Sequence, residues 1–357
     1  RAASTDGGNT LSFSQSATAA ASKITLNGTG WATPGSNALQ FGDTASAGTS
    51  TIANQGGAIN IFGNASAGAA TITNGDKSLL AFGQNATAGT AQISNLGGGL
   101  VRFADGSTGT SATVTNAAGG VVDVSGSTAK NGVEFGSLSG AGAVVLGATQ
   151  LALGNLGNSD TISGTVSDKG SIFTQPGSGT GGSIVKVGAG TLTLSGANTY
   201  TGGTTIAAGT LNVNNTSGSA TGTGAVQILG NAMLSGNGSI AGTVSIAKGG
   251  ILSAGNSPGT LTVGGLNLAD GAVLNYELGQ ANTVGGPLND LVKVNGDLQL
   301  DGTLNVAQSA GGAFGAGLYR LISYTGALTD NGLDIGIAPG AVGDLQVQTS
   351  VAQQVNL

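Results

Sequence analysis

The sequence predicts an all-β chain wound as a parallel β-helix, a solenoid with roughly 20 residues per rung. Three observations predict it. The N-terminal half repeats at that period, the remainder is built from short alternating strands each opened by Gly, and the composition is small-sided, with 69 Gly in 357 residues. Only 7% of the chain is charged while 39% is apolar, a mixture opposite to that of a disordered chain.

The repeat is read from four copies: FGDTASAGTSTIAN from Phe41, FGNASAGAATITN from Phe62, FGQNATAGTAQISN from Phe82 and FADGSTGTSATVTN from Phe103. Phe41, Phe62, Phe82 and Phe103 follow one another at a nearly constant step, and a looser copy begins at Phe13. The interval from Phe13 to Phe41 is one period plus a short insertion, which holds Trp31 and Pro34. Behind each aromatic comes a β-branched residue (Ile24, Ile52, Ile72, Ile93, Val114), then an Asn (Asn54, Asn74, Asn95, Asn116). Runs of three to five apolar residues broken by Gly, Asn and Ser are too short for helices and suit half-buried strands. Stacked once per turn, these positions become ladders: Phe on Phe, Ile on Ile, and Asn amides bonded along the axis.

Past about Gly140 the period loosens but the pattern persists as Gly plus an alternating pentad: GTLTL at Gly190, GTLNV at Gly209, GAVQI at Gly224, GTVSI at Gly242, GTLTV at Gly259, GDLQL at Gly296 and GTLNV at Gly302. Ser171–Ser183, dense in Gly and Pro, reads as a loop. Larger side chains and acids toward the C-terminus (Tyr276, Phe314, Tyr319, Tyr324) suit a terminal cap over an open sheet edge. The expected divisions are N-terminal capping rungs over 1–40, repeat rungs over 41–250, and C-terminal rungs with a cap over 251–357.

Absences narrow the chemistry. With no His and no Cys, Ser-His-Asp and Cys-His catalysis and His- or thiolate-bound metals are excluded, as are disulfides. A net charge of −6 without a Lys/Arg cluster argues against a nucleic-acid partner. No apolar run is long enough to span a bilayer as a helix, and RAASTDGGNT at the start lacks an apolar signal core, so it reads as mature sequence.

Gly188–Val213 (GAGTLTLSGANTYTGGTTIAAGTLNV) closely resembles the strand repeat of passenger domains of Gram-negative autotransporters, the type V secretion proteins. Gly249–Leu278 resembles the stretch toward the C-terminal end of such passengers. NDLVKVNGDLQLDGTLNV and YRLISYTGALTDNG resemble the last passenger segment before the membrane anchor. The resemblance implies a right-handed parallel β-helix exported through the outer membrane, with autochaperone-like C-terminal rungs over 251–357. No series of ten-residue amphipathic strands ending in an aromatic is present, so the β-barrel translocator is read as lying outside this sequence.

A protease of this kind needs a GDSGS-like site and a His; DGSTG at Asp105–Gly109 is the nearest string, and there is no His. An esterase passenger would need a GDS block and a His-containing triad, and neither is present. For a β-helix lyase or glycosidase, Asp105, Asp123 and Glu134 are the carboxylates able to meet on adjacent rungs, with Arg102 and Lys130 near them; solvated turn residues are the simpler account. GSGTGG (Gly177–Gly182) and GNGSIAG (Gly236–Gly242) lack the GK[ST] of a phosphate loop and read as turns, and GGxGxD calcium repeats do not occur. The N-x-[ST] sites at Asn27, Asn64, Asn85 and Asn237 read as ladder positions. Trp31 is expected to be a cap over the first rung or a ligand platform.

The expected function is non-enzymatic, with no cofactor and no metal: a secreted or surface-displayed passenger acting in adhesion or cell-to-cell self-association, as in autoaggregation or biofilm. Its expected partners are other copies of itself or a host or cell-surface molecule. Ladders of Thr, Ser and Asn offer weak hydrogen bonds that multiply between parallel surfaces. A structural stalk or fibre-forming subunit is the alternative, and a polysaccharide lyase or glycosidase comes third.

Overall fold

Alternating small and branched residues, punctuated by Gly every few positions, give short strands whose neighbours in space lie one repeat away in sequence. A computed structural model describes residues 8–32, 36–169 and 179–357; Pro34 and residues 171–178 of the expected loop, with the first part of GSGTGG, lie outside them. Among the described residues the structure is β throughout, apart from a 3-10 turn at Val342–Asp344. The chain divides into two units, Arg1–Ile184 with Tyr200–Gly202, and Val185–Thr199 with Gly203–Leu357.

In the first unit every rung contributes one strand to each of two parallel sheets. One sheet stacks Thr10–Phe13, Ala38–Phe41, Ala58–Ile61, Leu79–Phe82, Leu100–Asp105, Val121–Ser127, Ala143–Val145 and Val166–Ser167 in that order. The other stacks Lys23–Asn27, Thr51–Gln55, Thr71–Asn74, Gln92–Asn95, Gly109–Asn116 and Val133–Ser139. Each strand pairs with the strand one rung on, in parallel, and this is the defining connectivity of a parallel β-helix. Alternation puts Leu39, Ile59, Leu80 and Val101 inward on the first sheet and Ile52, Ile72, Ile93 and Val114 inward on the second, all buried.

Between the two sheets the chain turns a tight corner, built from Ala-[Ser/Thr]-Ala-Gly or a close variant of it. Thr18, Ser46, Ser66, Thr87 and Thr108 are bridged in parallel from rung to rung. The hydroxyls of Ser46, Ser66 and Thr87 accept from the N–H two residues on, at 3.0, 2.9 and 3.0 Å. Ala45, Ala47, Ala65, Ala67, Ala86 and Ala88 point inward and are wholly buried, so only a methyl fits the corner. Its end is left-handed: Gly48 and Gly68 hold φ of 64° and 61°, and Ala20 takes the same place at 49° in the first copy; a Cβ on Gly68 would lie 2.5 Å from the Gly48 carbonyl oxygen.

The second unit winds in the same way with longer and less regular turns. One sheet stacks Thr191–Leu194, Thr210–Val213, Met233–Gly236, Ile251–Ala254, Val273–Leu278, Thr303–Gln308 and Asp334–Ile335, with Leu192, Leu211, Leu234, Leu252, Leu274 and Leu304 in one inward column. The other stacks Thr204–Ile206, Val226–Ile228, Ser239–Ile246 and Thr260–Leu268, and the last of these pairs with both Leu291–Val294 and Leu298–Leu300. Register explains the loose period seen in the sequence. The pentads at Gly190 and Gly209 lie on one sheet, those at Gly224, Gly242 and Gly259 on the other, so successive pentads mix two faces. Gln354–Asn356 runs antiparallel on Arg320–Tyr324 and occupies that strand's open edge, where Arg320 donates to Asn356 Oδ1 at 2.6 Å and to Gln354 Oε1.

One ladder residue is displaced from its expected place. Register pairs Phe41 with Ile61 and Ile61 with Phe82, so the inward column is Phe41, Ile61, Phe82, Phe103, and Phe62 falls outside it with 39% of its surface exposed. The copy from Phe62 is one residue shorter before its corner Gly, and a one-residue offset reverses the face on which a strand residue points.

Candidate functional site

The expected ladder residues sort into an interior scaffold. Asn54, Asn74, Asn95 and Asn116 are all buried and joined amide to amide, Nδ2 to the next Oδ1, at 3.0, 2.9 and 2.8 Å. The same Nδ2 groups also donate to the carbonyls of Leu79, Leu100, Val121 and Ala143, which fastens one sheet to the start of the other. Buried amides are costly unless so satisfied. The column begins after Leu26, the partner of Asn54, and ends at the Gly140–Gly142 turn, where a Cβ on Gly142 would strike the Asn116 amide. Phe82 stacks on Phe103 with centroids 4.5 Å apart, and Phe103 meets Phe135 edge-on at 4.9 Å.

The carboxylates considered for catalysis do not form one centre. Asp123 is buried, in register with Arg102, and its Oδ1 accepts from Ser125 N and Oγ at 2.9 and 2.6 Å. Asp105 Oδ2 accepts from Gln84 N at 2.9 Å. Glu134 stands on the other sheet, in register with Ala152, where it accepts from Thr110 Oγ1 at 3.1 Å. Lys130 is exposed in a turn. Among the described residues no group of three His, Cys, Asp or Glu side chains is placed to hold a metal.

Trp31 is half-buried, and its backbone N–H donates to the Lys77 carbonyl at 3.0 Å, while the Gly30 backbone N–H donates to Gly56 O. Gly30 and Trp31 are thus tied to the backbone of the rungs that follow.

Two grooves of similar size are among those on the surface of the described residues. In the second unit a groove of about 520 Å³ is lined by Asn212, Ser253, Asn256, Ser257, Asn275, Glu277, Asn305 and Ile337 among others. Its floor holds Asn212, Ser253, Asn275 and Asn305, which stand in register through the buried Ser235. Asn256 donates to Asn214 and Asn237 at 2.8 and 3.2 Å and accepts from Asn212 at 3.2 Å. Asn212 Oδ1 is buried without a partner in the structure.

Asn289 and Asp290, at the start of the stretch read from sequence as the last passenger segment, are buried, and Asp290 holds the backbone of Glu277, which lines this groove. Asp290 Oδ1 accepts from Gly259 N and Oδ2 from Glu277 N, both at 2.7 Å, while Asn289 binds the backbone of Gly279, Gln280 and Thr283. Burial pushes the Asp290 carboxyl up to about 6; the two backbone donors pull it down, and the Glu277 carboxylate adds a smaller upward push. Beside it the buried Tyr276 hydroxyl donates to Leu321 O at 3.0 Å, and burial and then Asp290 raise its pKa.

In the first unit a groove of similar volume, about 520 Å³, runs beside the displaced Phe62 and is lined by Gln40, Asn60, Ala81, Arg102, Asp105 and Thr128 among others. No periodic rule marks outward positions such as these, so neither groove was legible in the sequence.

Comparison with known proteins bears on this architecture. Residues 184–213 match the passenger-associated-transport-repeat family. Over 110 residues, 30% of this chain, the sequence is 56% identical to the adhesin BmaC autotransporter of Brucella suis biovar 1 (strain 1330), and the match spans 3% of that relative's length. A hyper-glycosylated TibA fragment of known structure aligns over 88% of this chain and all of its own, at 18% identity with a TM-score of 0.24; at that score the fold rests on the strand registers alone. Over these two stretches the chain is similar to autotransporter passenger sequence.

Proposed function

We propose that this chain is an adhesive passenger, exported through the outer membrane and displayed on the surface of a Gram-negative cell, that binds through its outward faces and carries no catalytic centre. The observation that carries this reading is the outward set of Asn212, Ser253, Asn275 and Asn305, in register through the buried Ser235, with Asn256 beside it. It is an uncharged surface of amides and hydroxyls held in place by the rungs beneath. Such groups bond weakly one at a time, and repetition at strand spacing multiplies them. Identity to a relative named an adhesin supports the reading. Either a second copy of the chain or a host or cell-surface molecule fits these faces.

The test is display of the chain on a non-adhesive Gram-negative cell. Retention on epithelial monolayers or clumping with like cells is expected above an empty-display control, and Asn212→Lys, Asn275→Lys, Asn305→Lys together should reduce it. Cells no more adherent than the control contradict the proposal. The stalk or fibre alternative is less favoured, because the edge of Arg320–Tyr324 is already taken by Gln354–Asn356 and so closed to strand addition there.

A further inference from the structure

We propose that the groove beside Phe62 in the first unit binds a neutral pyranoside glycan, a ligand class for the adhesive reading above, on which this inference rests. Phe62 is the aromatic that the register turns outward. It is flanked along the axis by glycine: the residues following the paired positions Phe41, Ile61 and Phe82 are Gly42, Phe62 and Gly83. The ring leans over Gly42, where a Cβ would fall 2.8 Å from Cε2, and Gly83 leaves the opposite side open as part of the groove. The result is an exposed aromatic wall with its face free to receive a ligand.

Along the groove, Gln40, Asn60, Ala81 and Arg102 follow one another in register, one side chain per rung. That step, about 4.8 Å, is close to the length of one pyranose unit. The ring face of Phe62 is electron-rich and suits the polarised C–H face of a sugar. The floor reads hydroxyls in both directions: Asp105 accepts, Arg102 donates, and Gln40 and Asn60 do both. The Asn60 amide has no hydrogen bond to another described residue, so its donors and acceptor face the groove unspent. One cation and one anion among these lining residues balance, which favours an uncharged ligand over a uronate.

A peptide strand is excluded as occupant by the same geometry. Ala58–Ile61 and Leu79–Phe82 are each paired on both edges, so no main-chain groups remain for strand addition. The volume, about 520 Å³, lies within the range of small-ligand sites.

The experiment is saturation-transfer NMR and calorimetry on the purified chain with maltotriose, cellotriose and triacetylchitotriose as neutral probes and trigalacturonic acid as the charged control. At least one neutral probe is expected to bind with millimolar affinity and show transfer from aromatic protons. Phe62→Ala should weaken it at least tenfold without moving the thermal midpoint, and Phe62→Trp should retain it. No binding by any neutral probe, binding unaffected by Phe62→Ala, or preference for the acidic probe each overturns the proposal. Displayed cells carrying Phe62→Ala separate the two readings: loss of sugar binding with clumping intact assigns Phe62 to the glycan and leaves self-association to other faces.

Discussion

The Asn74 side chain donates to Asn95 Oδ1 at 2.9 Å while also reaching the Leu100 carbonyl at 3.0 Å, so a single buried amide ties three strands on two sheets. Replacing it with Ala leaves Asn95 Oδ1 and the Leu100 carbonyl without that donor inside the coil. A loss of about 2 kcal/mol is expected, read from the urea midpoint. Asn85→Ala, at an exposed amide pair with Asn64, should change stability by less than about 0.5 kcal/mol.

Adjacent residues at the displaced aromatic should behave oppositely. Ile61 is buried in the Phe column, and Ile61→Ala should cost about 2–5 kcal/mol. Phe62→Ala should be nearly neutral to folding. Equal losses at both positions in thermal or urea unfolding would put the register one residue away from that found in the structure.

This pair also shows what sequence makes legible. Like residues at a fixed period betray stacking, so the Ile and Asn columns, and the solenoid they imply, follow from spacing. The period does not say on which side of the backbone a residue stands, and at Phe62 the more conspicuous aromatic drew the register from Ile61. The corner of Ala, Ser or Thr, and Gly recurs in the quoted copies but carries no large side chain to signal a buried column. In the second unit the same pentad serves both sheets, so spacing alone could not separate them. Asp290 acts on Gly259, far away in sequence, through a contact that no local pattern reveals.

Asp290 gives stability a pH dependence of defined sign. Its folded pKa of about 6 lies above the ordinary 3.8, so the folded state holds the proton more tightly than the unfolded one. Its contribution is fully present below about pH 4 and is lost as pH rises through 6. The full swing is at most about 3 kcal/mol. Unfolding free energies measured from pH 4 to 7 should fall along this part of the curve, and Asp290→Asn should flatten it; an identical slope in the variant contradicts the assignment.

Lys186 is buried in the second unit and its Nζ donates to the carbonyls of Val187, Gly188 and Ala208 at 2.7, 2.8 and 3.2 Å. Lys186→Met keeps most of the length of the side chain and removes these donors. A loss of about 2–3 kcal/mol is expected in urea unfolding, with far-ultraviolet circular dichroism unchanged at low urea.

Every outward face depends on rungs stacking in one register, and the lack of cysteine in the chain allows that register to be measured directly. Thr73 and Ser94 are partners on consecutive rungs with side chains outward. Thr73→Cys with Ser94→Cys should oxidise to an intramolecular disulfide, whereas Thr71→Cys with Ser94→Cys, two positions out of step, should stay reduced under the same mild oxidant. Efficient closure of the second pair in place of the first would contradict the stacking on which the proposed adhesive faces are built.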